Sequence, residues 1–377
     1  MRSARARGWG VVSTLAAPAL ALLIAVTVST AVLASVGASP GRTYQTMLEF
    51  GVRPDSLVSA VNRSTIYFFA GLAVAVSFRM NLFNIGVEGQ YRFAALLAAA
   101  AGTALDLPGP LHLAVVCLVA VLAGALWAGI AAVLKTWRGV SEVLSTLLLN
   151  YVATAVIAYL LAEVFAAGSA TGSTPELPPS ARLPDLDGLP ALFGLSLPAG
   201  THLGGAVLGA VVLGVAVHLV LTRTLYGYDL KMSGLNPAAA HAHGIDPRRM
   251  IVITMLVSGG LAGLSGLPDL LGNTYRYGLD FPSGAGFTGI AVALLGRNNP
   301  LGIALSALLF GFLERSALIL DIEGIPKEIV TIMQGVIVIS VVVAHELVRR
   351  VDRRRTARLV REETSPEAAP APTGTAT

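Results

Sequence analysis

The sequence is poorest in cysteine, lysine and charge, and each scarcity removes a class of function. Its one cysteine, Cys117, lies in an apolar run, so there is no internal disulfide and no cysteine-rich metal centre. Its three lysines, Lys135, Lys231 and Lys327, all follow a residue other than glycine. No G-x-x-x-x-G-K-[ST] loop is therefore available to bind and hydrolyse ATP. The H-E-x-x-H and C-x-x-C patterns are missing too. Charged residues make up 13% of the 377, against about 25% in an ordinary soluble domain.

What is abundant is apolar. The hydrophobic fraction is 54% and the mean hydropathy is +0.72. One soluble core cannot bury that much, and the apolar residues come in runs near the roughly 20 that cross a bilayer as a helix. The chain reads as an all-α integral membrane protein. Its net charge of +4 is no nucleic-acid signal, because the arginines gather at the ends of the apolar runs, where membrane topology places them.

Ten spans are expected, at 11–36, 57–78, 91–106, 111–134, 143–165, 203–222, 250–271, 285–296, 300–320 and 327–347. A secretory signal ending near Val36-Gly37-Ala38 is the rival reading of the first. Its apolar run exceeds the usual 7–15-residue signal core, which favours a retained helix. The eighth is too short to cross alone and reads as a half-helix continuing into irregular backbone buried in protein. With residues 1–10 in the cytoplasm and ten crossings, 18 of the 26 basic residues fall on the cytoplasmic side. That bias favours an even count with both termini inside. The transmembrane region is then 11–347. Within it, residues 166–200, with six prolines, form an extracytoplasmic capping loop, and 223–249 form a structured cytoplasmic loop. Residues 348–377 form a cytoplasmic tail, first basic and then disordered.

Charged and amide side chains inside a membrane are costly and normally face a cavity or a partner. The densest group is RMNLFNIGVEGQ at 79–90, which carries Asn81, Asn84, Glu88 and Gln90 among glycines. Such a mixture suits a broken helix whose freed backbone lines a path; a cytoplasmic turn with a satisfied carboxylate is an equal alternative. A second group, GIAVALLGRNNP at 289–300, ends a short apolar segment on Arg297 and Asn298. The two groups read as matching elements of two pseudo-symmetric halves. Asn150, after a leucine run, fits an interhelical hydrogen bond better than a path lining. SGGLAGLSG at 258–266 reads as a small-residue face for close helix packing.

The cytoplasmic stretch 233–249 reads SGLNPAAAHAHGIDPRR. Pro237 suits the first turn of a short helix, Asn236 its cap and Gly244 its end. A stiff helix outside the membrane, on a chain with no ATPase motif, can receive motion from a separate motor subunit. His241 and His243 point to different faces of a helix and do not read as a metal pair.

These segments resemble a known family. FNIGVEGQ at 83–90 is similar to the hallmark of permease subunits of ABC importers for simple sugars and nucleosides, within the larger ribose and branched-chain amino acid permease group. GVSEVLSTLLLNY at 139–151, GLNPAAAHAHGI at 234–245, GFTGIAVALLGRNNPLG at 286–302 and Gln334-Gly335 are similar to further family segments, and the resemblance covers residues 57–347. It implies an ABC permease fold forming the translocation path for nucleosides or simple sugars, in the bacterial plasma membrane. It implies as partners a second permease, identical or related, two ATPase subunits carrying ATP-Mg, an extracytoplasmic substrate-binding protein and membrane lipid, with no nucleic acid. The chain itself would catalyse nothing and hold no cofactor or metal. Asn84, Glu88, Gln90, Asn150, Arg297 and Asn298 are the expected path residues, and Asn236, Ala239, His243 and Gly244 the expected ATPase-coupling helix. A branched-chain amino acid permease is the alternative cargo reading. An ion-coupled secondary transporter titrating Glu88 or Glu142 is a more distant one, and an intramembrane enzyme lacks a visible constellation.

Overall fold

The computed structural model describes residues 2–165, 172–192, 197–326 and 328–364. In chain order the helices are α1 (Arg2–Ser35), α2 (Pro40–Gly51), α3 (Pro54–Arg79), α4 (Val87–Ala104), α5 (Gly109–Arg138) and α6 (Glu142–Leu160, continued by a π-turn Leu161–Phe165). After a long loop come α7 (Gly188–Leu192), α8 (Ala206–Arg223), α9 (Leu225–Leu235), α10 (Pro237–Ala242), α11 (Pro247–Leu264) and α12 (Leu267–Asp269, continued by a π-turn Leu270–Thr274). The last are α13 (Ala285–Leu295), α14 (Pro300–Ile322) and α15 (Glu328–Thr364). The described residues hold no sheet, only isolated bridges at Ser173–Gly278 and Asp185–Gly204.

The chain divides into two units, residues 39–331 and residues 1–38 with 332–377. The second consists of α1 and most of α15. α15 runs to Thr364, so the basic stretch 349–361 is helical; the tail expected to be disordered lies, from 365 on, outside the described residues.

The all-α membrane class holds, but the span count falls below ten. Among the described residues seven helices are long and apolar enough to cross, and Ala19–Ser35 with Pro40–Gly51 would make an eighth if taken as one broken span. With that pair counted, the two spans still missing have separate physical causes. α13 has 11 residues, about 16 Å at 1.5 Å per residue, half of a bilayer core. α4 has 18 residues but spends its first two turns on Glu88, Gln90 and Arg92, which leaves it too polar to count. Both helices are nevertheless packed among the others.

Within the unit 39–331, α3 and α11 are the most buried spans. α5 lies against α11 through the small-residue stripe. A Cβ on Gly124 would collide with the Gly259 carbonyl oxygen, and one on Gly263 with that of Ala120. Such contact between backbones is how helices associate where the solvent is itself apolar. α14 runs antiparallel to α3 and meets it at Gly311, whose missing Cβ leaves room for the Ala60 carbonyl.

The described part of the loop after α6 is fixed over the adjoining helix ends. Leu177 and Ala181 are fully buried, and Leu177 fills the space opposite Gly102. The Thr174 and Leu177 N–H groups donate to the carbonyls of Tyr277 and Tyr275. The Arg182 guanidinium lies 4.2 Å over the Tyr275 ring. Farther on, His202 Nδ1 is 2.7 Å from Asp187 Oδ2, and this pairing raises the histidine pKa above its ordinary value. Residues 166–171 and 193–196 of the expected capping loop lie outside the described residues.

Candidate functional site

α3 ends at Arg79 and α4 starts at Val87, and the seven residues between are irregular backbone in which Met80, Leu82, Asn84 and Gly86 are buried while Asn81 and Phe83 are exposed. Irregular backbone survives at membrane depth only where its polar groups find protein partners. Here they do. Thr146 Oγ1 accepts from the Ile85 N–H (3.2 Å), and Asn150 Nδ2 donates to the Ile85 carbonyl (3.0 Å). Asn84 Oδ1 accepts from the Gly86 N–H (3.1 Å), and Asn150 Oδ1 from the Gly89 N–H (2.9 Å). Asn84 and Gln90 exchange reciprocal amide bonds at 2.9 Å, and Asn84 also donates to Ser258 on α11. Ser258 donates to the Ala73 carbonyl of α3 at 2.6 Å. Three expected path residues, Asn84, Gln90 and Asn150, thus meet in one network, buried and supplied with partners from the chain itself.

The fourth, Glu88, sits where two helices begin. It is in the first turn of α4, is 6% exposed, and accepts the N–H groups of Gly284 (2.8 Å) and Gly286 (2.9 Å) at the start of α13. One carboxylate therefore closes the positive ends of two helix dipoles. The Tyr91 hydroxyl lies 3.2 Å from Glu88 Oε1 and 2.9 Å from the Pro282 carbonyl, so its one proton is shared between them. Gly284 has φ +94°, a conformation other residues rarely take, and it turns the chain into α13.

Arg297 and Asn298 are not part of this cluster. They lie at the far end of α13, about 16 Å of helix away. Both have positive φ (55° and 54°), and the Asn298 carbonyl accepts from Arg79 Nη2 at 3.2 Å. Glu142 is separate as well. It pairs with Lys135 across the α5–α6 turn.

A charged cluster that no local motif announces lies on α3, α12 and α14. Arg63 Nε donates to both oxygens of Glu314 at 3.1 Å, and Nη1 donates to Asp269 Oδ2 at 3.0 Å. The Tyr67 hydroxyl donates to Glu314. Arg63 is nine residues in from Pro54, about 14 Å, so the cluster is well inside the spans. Nearer the helix ends Arg315 pairs with Asp55 at 3.2 Å. Residues 63, 269 and 314 are far apart in sequence, so no local pattern joins them when the chain is read linearly.

Outside the spans, α10 is a six-residue helix with Pro237 in its first turn. Asn236 Oδ1 accepts from the N–H groups of Ala238 and Ala239, both at 3.1 Å. Gly244 ends it with φ +83° and donates to the His241 carbonyl at 3.0 Å. His243 lies at the surface and Ala239 is half-buried. The helix just before it, α9, is tied to the helix break through Gly234. Asn81, itself at φ 55°, donates to the Gly234 carbonyl at 2.6 Å, and a Cβ on Gly234 would meet the Arg79 carbonyl at 2.7 Å.

The chain matches, over residues 56–342, the family described as the permease component of branched-chain amino acid transport systems. It is 32% identical over 332 residues to the glucose ABC transporter permease protein TsgB13 of Haloferax volcanii, covering 86% of each chain. It is 36% identical over 284 residues to the guanosine ABC transporter permease protein NupP of Bacillus subtilis, covering 74% of this chain and 79% of that one. With the nucleoside ABC transporter permease protein NupB of Lactococcus lactis it shares 29% identity over 79% of this chain and 86% of the relative. No solved structure matches it.

Proposed function

The chain belongs to the family of branched-chain amino acid transport system permease components, and from that premise we propose that it forms part of the translocation path of an ATP-driven importer of nucleosides or simple sugars. Two relatives above 30% identity are named for glucose and for guanosine, which favours that cargo over branched-chain amino acids. The observation that carries the reading is Glu88. An amino acid's carboxylate needs a helix N-terminus or a free cation. In this chain the paired N-termini of α4 and α13 are already closed by a carboxylate of its own.

In the proposed cycle α10 docks on an ATPase subunit that holds ATP-Mg, with both termini of the permease on that cytoplasmic side. A second permease, identical or related, completes the path, and a binding protein delivers cargo to the opposite face. ATP binding moves α10, and Asn236, Ala239, His243 and Gly244 form the segment that receives the motion. The Gly234–Asn81 contact passes it to residues 80–86. Asn84, Gln90 and Asn150 hold that segment, so it moves as a unit with Glu88 and shifts α4 against α13. The two access states then exchange by population shift. Arg297 and Asn298 stand at the inner mouth.

The test is uptake of labelled uridine into proteoliposomes holding the permease, its ATPase, its binding protein and any second permease. ATP-dependent uptake that nucleosides, ribose or glucose compete for, and leucine does not, is the expected result. Competition by leucine alone would replace the cargo, and uptake driven by an ion gradient without ATP would overturn the proposal.

A further inference from the structure

The charged cluster on α3, α12 and α14 has a property that close packing does not explain. Glu314 stands on the buried face of α14, in line with Ile303, Ala307, Phe310 and Ala317, which are 0–6% exposed. Its own side chain is 38% exposed. Arg63 repeats the pattern on α3. Tyr67, Ala70 and Val74 below it on the same face are 0–4% exposed, yet the Arg63 side chain is 24% exposed and that of Asp269 is 13%. All three are therefore part-exposed on faces that are otherwise buried. Charges within membrane spans are stable only against partners or water, and here the partners leave each side chain partly uncovered.

The cluster also does not balance. One guanidinium faces two carboxylates, and the neighbouring Arg315 is engaged with Asp55. Across these five side chains one negative charge is left over.

We infer that Arg63, Asp269 and Glu314 line a water-filled chamber of the path that admits neutral or cationic polyhydroxylated cargo and turns away anions. This rests on the reading of the chain as a transport path, and it names the charge class of what passes. Spare Arg63 N–H groups and carboxylate oxygens can exchange hydrogen bonds with sugar hydroxyls. A phosphorylated sugar or a nucleotide would instead meet the unbalanced carboxylate.

The experiment places a reporter thiol by Gly272→Cys, three residues after Asp269 where an added Cβ meets nothing within 4 Å, in a chain whose Cys117 is replaced by Ala. The assembled transporter is treated with two membrane-impermeant methanethiosulfonates of similar size, one carrying a trimethylammonium and one a sulfonate. Each rate is divided by the reagent's rate with a free thiol. We expect the cation to react about tenfold faster than the anion, within the range that charged clefts impose on association rates. Glu314→Gln should bring the ratio close to one. Equal corrected rates in the parent would overturn the charge filter. Failure of both charged reagents, while a permeant uncharged maleimide labels the same thiol, would overturn the aqueous chamber. Uptake is measured separately on the Cys117→Ala chain, so a failed transport assay and a failed chamber are told apart.

Discussion

Gly286 and Glu88 touch backbone to backbone: a Cβ on Gly286 would collide with the Glu88 nitrogen, while the Gly286 N–H donates to the Glu88 carboxylate at 2.9 Å. The absent side chain and the carboxylate are two parts of one joint. Gly286→Ala should push α13 away from α4 and lower both the melting temperature in detergent and uptake. An unchanged melting temperature would show that the two helix ends are not locked together.

Removing the carboxylate tests the same joint from the other side. Glu88→Ala strips the acceptor from two N–H groups and should cost about 3 kcal/mol, since charge-assisted bonds are worth about 1.5–3 kcal/mol each. Glu88→Gln keeps one acceptor oxygen and should fall between Ala and the parent. Glu142→Ala removes only an ion pair at a helix turn and should lower uptake less than Glu88→Ala. Thermal unfolding and uptake on the same preparations check the order, and a reversed order would remove the helix joint as the reason for a carboxylate at 88.

In the charged cluster, Arg63→Ala leaves Asp269 and Glu314 facing each other without their cation. A loss of about 2 kcal/mol is expected, below the 3–5 kcal/mol of a fully buried pair because the site is partly open. Adding Glu314→Gln should recover part of it. Strict additivity of the two changes in thermal unfolding would mean the groups are not coupled.

Gly244→Pro attacks the end of the surface helix. Proline fixes φ near −65° and has no N–H, whereas Gly244 has φ +83° and donates to His241. The variant should insert normally and hydrolyse ATP with its partners while taking up little cargo. Normal uptake would remove α10 from the coupling route.

The parts of this molecule that are legible in sequence are those whose signals are local. Long apolar runs give helices, and Asn236, Pro237 and Gly244 mark α10 because a cap, a first-turn proline and a left-handed stop each act within a few residues. The polar residues 84–90 announce a helix break for the same reason. The span count does not follow, because α4 and α13 get their stability from packing and from Glu88 rather than from apolar length. The Arg63–Asp269–Glu314 cluster is invisible because its members are brought together only by the antiparallel packing of α3 and α14 and by the turn of α12. Asn81 belongs to the polar group legible in the sequence, but its partner is a carbonyl 153 positions away, which no local signal gives.

The most direct test of the account is the ratio of cargo taken up to ATP hydrolysed in Asn81→Ala, because that substitution cuts the 2.6 Å bond between the helix break and α9, the helix that leads into α10, while leaving all three in place. The ratio should fall several-fold with hydrolysis retained, as expected if a route worth about 1–2 kcal/mol of coupling is severed. An unchanged ratio would contradict the claim that motion at α10 reaches Glu88 through Gly234 and Asn81.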